Sequence, residues 1–407
     1  MQNFNPEEAI QAAVREFGEH GGVAPSISRS STFTVIDPRT MPELFEGTRG
    51  PEKGGCYLYS RHFNPTVSVL ARYLAAMEGT EYALCTASGM AAISCTLMQL
   101  CQQSDHIVSS DTIYGGTHAL FEQLLPATGI TTSFVDITDI HAVEGAIRPE
   151  TRVIYTETIG NPTLKISDIA VLSRLARKHD LNLVVDNTFS PIILTPAKLG
   201  ADIVIHSLTK FINGASDAIA GVICCSKDFA YELMDVHTGR LMLLGPTMDP
   251  RTAFDIIQRL PHLAIRIKAH GARALAVANR LEELGAPVTY PGISSHPQHE
   301  LLKSMINRGF GYGGMLTIDC GTREKAEVFL DYLQNFERFG LIAVSLGYFD
   351  TLMSHSGSST SSEITPEDQA CMGLSPGLVR MSIGFTGSLK NRLAQIERAV
   401  RKVDLVA

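Results

Sequence analysis

Between residue 63 and about residue 245, short apolar runs alternate with amphipathic, helix-spaced stretches, and no other feature restricts the fold as much. Strand-like runs fall near Tyr82–Thr86, His106–Ser109, Thr132–Val135, Arg152–Glu157, Leu183–Asp186 and Asp202–His206. Helical patterns lie between them, one opened by Asn64-Pro65-Thr66, one by Ser88-Gly89-Met90 and one over Ile169–His179. An apolar run without polar alternation suits a strand buried on both faces. Strands separated by helices form right-handed βαβ units, which predicts an α/β fold with a mostly parallel sheet. Ligands of such sheets bind outside the carboxyl ends of the strands.

The flanks differ. Residues 1–62 carry too little apolar periodicity for a core of their own and read as an arm that wraps another part of the molecule or another subunit. A helix is expected over Pro6–Phe17, opened by Asn5 and Pro6, with Gly47–Gly55 as loop. From about Thr252 a long helix is expected to Arg280, bent near Pro261. Strands at Gly314–Asp319 and Gly377–Ser382 follow, then a closing helix over Asn391–Val403. The expected organisation is an N-terminal arm (1–62), an α/β domain (63–250) and a smaller α+β domain (251–407). The hydroxyl-rich Ser354–Ser362 reads as a mobile loop.

A chain of 407 residues, 44% apolar, can bury a large core. Its net charge of −8, without a basic run, argues against a nucleic-acid partner. No apolar stretch approaches the roughly 18 residues of a membrane span. Met1 to Glu8 has neither the basic nor the apolar region of a signal peptide. The eight cysteines include no Cys-x-x-Cys, which predicts reduced thiols and a cytoplasmic protein. His296 and His299 have metal-ligand spacing but no evident third ligand, so no metal is expected and both are expected at the surface.

Ser207-Leu208-Thr209-Lys210 directly follows an apolar strand. A lysine there, preceded by two hydroxyl residues, suits a Schiff base with pyridoxal phosphate, Ser207 and Thr209 donating to the phosphate. A strand-end lysine that merely reaches solvent looks the same. Asp186 ends the preceding strand, so both side chains would reach one sheet edge. A carboxylate there would keep the pyridine nitrogen protonated, although a helix-capping aspartate is the plainer reading. Ser88-Gly89-Met90 lies between strand and helix, where backbone N–H groups and the helix dipole favour a phosphate, with Gly89 allowing close approach. Tyr114 could stack on the pyridine face and move a proton, or simply fill the core. Arg380 interrupts an apolar strand and needs an anionic partner, either a substrate carboxylate or a structural acid. Tyr59 and Arg61, two apart on an extended segment, could both reach a phosphate.

Taken together and in this order, these residues resemble the Cys/Met-metabolism family of pyridoxal-phosphate enzymes over nearly the whole chain. The likeness includes Tyr59-Ser60-Arg61, Ser88-Gly89-Met90, Tyr114-Gly115, Glu157 with Asn161-Pro162-Thr163, Asp186-Asn187-Thr188, Ser207–Lys210, Ser345-Leu346-Gly347 and Arg380. It implies a fold-type-I architecture, pyridoxal 5'-phosphate as cofactor, and a homotetramer of two tight dimers with shared active sites. It implies Lys210 as Schiff-base lysine and proton shuttle, and Tyr114 stacked on the cofactor ring. Gly89, Met90, Ser207 and Thr209 would hold the phosphate, with Ser88 beside them. Tyr59 and Arg61 would reach the phosphate of the neighbouring subunit. Ser345 and Arg380 would take the substrate carboxylate, and Asn161 would also face the substrate. Val344 suits an uncharged substrate tail, and Gly116 implies a roomier pocket. The activities implied are carbon–sulfur elimination and γ-replacement on sulfur amino acids. A cofactor-binding relative without turnover is the reading from another class.

Overall fold

The computed structural model describes residues 4–13, 15–45, 48–51, 56–356 and 374–406. Its frame is a seven-stranded sheet: β1 (Tyr82–Thr86), β2 (His106–Ser110), β3 (Thr131–Val135), β4 (Thr151–Glu157), β5 (Asn182–Asp186), β6 (Ile203–Ser207) and β7 (Gly221–Cys225). The order across the sheet is β1-β7-β6-β5-β4-β2-β3. Strands β2 to β6 pair in parallel, and β7 runs antiparallel to both neighbours. The mostly parallel sheet expected from the alternation is present. β7 is a strand that reading did not contain, because Gly214 and Gly221 look like turn signals.

Both faces of the sheet are covered, as its near-continuous apolar strands require. Leu183, Val185, Val204, Val222 and Cys224 point into one core, with the helices Pro65–Glu78 and Ile169–Lys178. Val184, Ile203, Ile205, Ile223 and Cys225 point into the other, with Gly89–Leu100. Period-two alternation then fixes where the polar strand ends face. Glu157, Asp186 and Ser207 continue the sides of Tyr155, Val184 and Ile205, so all three face the start of the helix Gly89–Leu100.

Local signals set these helices. Asn64 caps the helix Pro65–Glu78 through the amides of Thr66 and Val67, and Gly79 ends it at φ 66°. The helix from Pro250 breaks at Arg259, and Leu263–Glu283 resumes after a short turn holding Pro261. A second sheet has the order β10-β11-β12-β9-β8, from β8 (Val288–Thr289), β9 (Met315–Asp319), β10 (Leu341–Ile342), β11 (Leu352–His355) and β12 (Leu378–Ser382). It shares a core with the helices Leu263–Glu283, Arg323–Asp331 and Leu389–Lys402.

Three expectations are corrected. The first helix is Pro6–Ala12, ending well before Phe17. Ser354 and His355 belong to β11, Ser356 is buried in the turn that follows, and residues 357–362 lie outside the described residues. His296 is buried, its Nδ1 accepting from the Gln298 amide, and the mostly buried His299 bonds the Pro291 carbonyl through Nδ1. Both histidines are therefore packing elements, not surface residues. Among the described residues no helix is long and apolar enough to cross a membrane, and no cluster of metal-ligating side chains forms.

Candidate active site

Where β4, β5 and β6 end, a cavity of about 430 Å³ opens between the large sheet and the segment 344–346 with Arg380 of β12. Lys210 lies just beyond β6, and its Nζ donates to Ser345 Oγ at 2.9 Å. Ser345 holds φ 95°, a region costly for a side-chain-bearing residue. Arg380 Nη2 reaches its carbonyl at 3.0 Å. Gly347, at φ 78°, presses on the Lys210 turn so closely that a Cβ would stand 2.4 Å from the Phe211 amide nitrogen. The lysine turn and the Ser345 loop are thus locked together.

Asp186, 8% exposed, lines the cavity, and its Oδ1 accepts from the Thr188 amide at 2.9 Å. No helix starts there, so this bond closes a turn and the helix-cap reading does not hold, while the side chain lies at the cavity. Ser88 lines the same wall with Gly89 and Met90. Its hydroxyl is occupied as the helix cap, accepting from the Ala91 amide at 3.1 Å. The amides of Gly89 and Met90 belong to the first turn, which has no intrahelical acceptors. Gly89 is required for a reason the sequence does not display: a Cβ there would stand 2.8 Å from Ser207 Cβ. Gly221 is likewise pressed against Ser88, with a Cβ 2.3 Å from its carbonyl oxygen. Thr209 lines the cavity while its Oγ1 accepts from the Ala220 amide at 3.0 Å.

Tyr114 stands at the mouth, 44% exposed, so it is not a core tyrosine. Its ring lies over Gly116, where a Cβ would come within 2.6 Å of it. The space left by Gly116 is therefore filled by this ring, and the roomier pocket is not found. Asn161 and Arg380 form the opposite wall, with Arg380 Nη1 donating to Asn161 Oδ1 at 3.1 Å.

The cavity's charges act on one another. Burial, aided by Arg380, pushes the Lys210 amine down to about 8, and Asp186 opposes that shift. Burial raises Asp186, while the Thr188 hydrogen bonds and nearby His206 and Lys210 restrain the rise. Burial also pulls Arg380 down to about 10, countered by Tyr114 and Glu157. It remains a cation at neutral pH.

Two predicted residues are elsewhere. Arg61 lines a separate cavity of about 410 Å³, donates to the Met242 carbonyl at 3.0 Å and lies 5.7 Å over the Tyr59 ring. Tyr59 bridges to Thr32, after which the chain turns, so the extended segment ends before Arg61. Of the four charged residues lining the cavity, Glu157 is the one that sequence reasoning gave no role. Glu157 ends β4 in register with Asp186, and two carboxylates closing adjacent strands was the available signal.

The donors fit pyridoxal phosphate. Helix-start amides and two hydroxyls at the cavity would receive a phosphate, a buried carboxylate lines the same space, and so does a lysine of lowered pKa. Fold and site together define a fold-type-I pyridoxal-phosphate enzyme. The chain belongs to the family described as Cys/Met metabolism PLP-dependent enzymes, whose model matches residues 7–399. It is 54% identical to methionine gamma-lyase of Arabidopsis thaliana, over 97% of this chain and 90% of that one. It is 36% identical to cystathionine gamma-lyase of Bacillus subtilis, over 94% and 98%. The crystal structure of cystathionine gamma-lyase from Lactobacillus plantarum complexed with L-serine superposes with a TM-score of 0.87 at 29% identity, covering 98% of this chain and all 100% of that one.

Proposed function

We propose that the protein cleaves L-methionine by α,γ-elimination, so that methionine and water give methanethiol, 2-oxobutanoate and ammonia. The observation that carries this reading is the meeting of Lys210, Ser345 and Arg380 at one cavity whose wall at Ile219, Val344 and Leu346 is apolar. An uncharged thioether suits that wall better than a second ammonium group. The similarity to the Arabidopsis methionine gamma-lyase supports it.

Pyridoxal phosphate, when bound, supplies the sink for the electron pair left at the substrate's α-carbon. Gly89, Met90, Ser207 and Thr209 would hold the phosphate, and Asp186 would keep the pyridine nitrogen protonated. Arg380 takes the substrate carboxylate with its planar fork, braced by Asn161 and the Ser345 carbonyl. Lys210, freed once the substrate amine displaces it, would be the base that takes the α-proton and, after yielding that proton to the cofactor, a β-proton. The γ-carbon–sulfur bond then breaks, and the Tyr114 phenol protonates the departing thiolate.

Tyr59 and Arg61 are read as serving the active site of a neighbouring copy, within a homotetramer of two tight dimers. Their position outside the chain's own Lys210 cavity supports this, as does an arm whose Phe17 and Ile36 are 71% and 95% exposed. The free thiols of the described residues are in keeping with a cytoplasmic location.

The test is product analysis. Methionine should yield equal amounts of methanethiol, 2-oxobutanoate and ammonia, faster than cystathionine is cleaved. No methanethiol from methionine, with ready product from O-acetylhomoserine and sulfide, would overturn the reading in favour of a γ-replacement transferase.

A further inference from the structure

Glu157 is 6% exposed and ends β4 directly beside Asp186, so two carboxylates share one buried strand-end edge. Burial and the Asp186 charge both push its pKa well above the usual carboxylate range. Such an arrangement is unfavourable, and a neutral side chain would cap a loop at less cost. The hydrogen bonds explain why a carboxylate is there. One oxygen, Oε1, accepts from the Tyr114 amide at 2.7 Å. The other, Oε2, accepts from the Asn161 amide at 3.2 Å. These amides belong to two loops, one after β2 and one after β4. Asn161 in turn accepts from Arg380 Nη1. A carboxyl group offers a separate acceptor oxygen to each amide, and so receives both at once, which a carboxamide with its single oxygen does not. Its charge also faces the Arg380 guanidinium.

We propose that Glu157 is a positioning residue that fastens the Tyr114 loop and the Asn161–Arg380 carboxylate anchor to one point, so that both are set relative to Lys210 as a unit. This rests on the reading of Arg380 as the carboxylate anchor, not on the identity of the leaving group. Glutamine in its place has one acceptor oxygen and turns an NH₂ group toward the second amide, so one loop is released.

The experiment titrates the cofactor-loaded enzyme with glycine, which has the α-carboxylate and no side chain to eliminate, and follows the cofactor's visible spectrum. Glu157→Gln should weaken glycine about tenfold or more. On an Arg380→Ala background it should weaken glycine no further, because the anchor it positions is already gone. Cofactor content should stay at the wild-type level and the thermal midpoint within a few degrees. Glu157→Asp, which keeps the charge and both acceptors, should recover affinity to within about threefold of wild type. Unchanged glycine affinity in Glu157→Gln would overturn the proposal. So would an equal further loss on the Arg380→Ala background, or equal weakening by Gln and Asp. Glycine reports on Glu157 even if methionine yields no methanethiol, so failure of the substrate assignment and failure of this inference are distinguishable.

Discussion

Two regions carry the residues expected to hold the cofactor, and they differ in how those residues are held. At the sheet edge, strand register does the work. β4 and β5 end in register and β6 runs two residues further, and Glu157, Asp186 and Ser207 share one face because each continues a period-two pattern. In the arm, Tyr59 and Arg61 sit beyond a single bridge to Thr32, beside a different cavity. Arg61 bonds the Met242 carbonyl there and is not among the residues of the Lys210 cavity. The difference teaches that residues which a sequence offers together as cofactor ligands need not meet at one cavity of the chain.

Lys210→Ala should break the sheet-edge half entirely. Turnover and the visible absorption of the lysine-bound cofactor should both vanish, since among the described residues no other lysine lines the cavity. A normal spectrum in that variant would remove the basis of the assignment. Next in size is Asp186→Asn, which keeps volume and removes charge. It should lower kcat on the order of a hundredfold while leaving the thermal midpoint nearly unchanged. Near-normal turnover would leave Asp186 with only its Thr188 turn.

The arm is tested by mixing. Arg61→Ala and Lys210→Ala chains, each impaired, are unfolded and refolded together in equal amounts. If Arg61 acts on a partner, about a quarter of sites regain a full set of residues. Activity no greater than the mean of the separate variants would show that each arm serves its own chain. The smallest effect is a shift of pH. In protein stripped of cofactor, only the neutral Lys210 amine can attack, so cofactor uptake should climb with pH and level off above about 8. Arg380's positive charge favours the neutral amine, so Arg380→Ala should raise the midpoint. An unmoved midpoint would mean that this charge does not reach Nζ.

Much of the large sheet was legible because its strands are continuous apolar runs and its helices have chemical starts, such as Asn64-Pro65 and Ser88. The juxtaposition of Asp186 and Lys210 followed from βαβ logic, and the structure does pair β5 with β6. β7 was not legible, because Val222–Cys225 is short and follows two glycines that also suit a turn. The burial of His296 depends on its bond with Gln298, which spacing cannot reveal. Gly116 invited a reading of empty space because a sequence does not show that the Tyr114 ring folds back over it. Glu157 bonds backbone amides on two loops, a contact with no side-chain signature at the other end.

The place of β7 also bears on synthesis. β1 pairs with β7 alone, although β1 is among the first elements made and β7 follows the lysine turn. Strands β2 to β6 can pair as they leave the ribosome, each finding a partner already made or soon to come. β1, with the Ser88–Met90 loop at its end, must wait for a distant segment, and such closures are the slow ones. A nascent chain halted between Lys210 and Gly221 would therefore carry its lysine and both strand-end carboxylates, yet still lack the wall that receives the phosphate. The docking of the Ser88–Met90 turn against Gly221 comes late in translation.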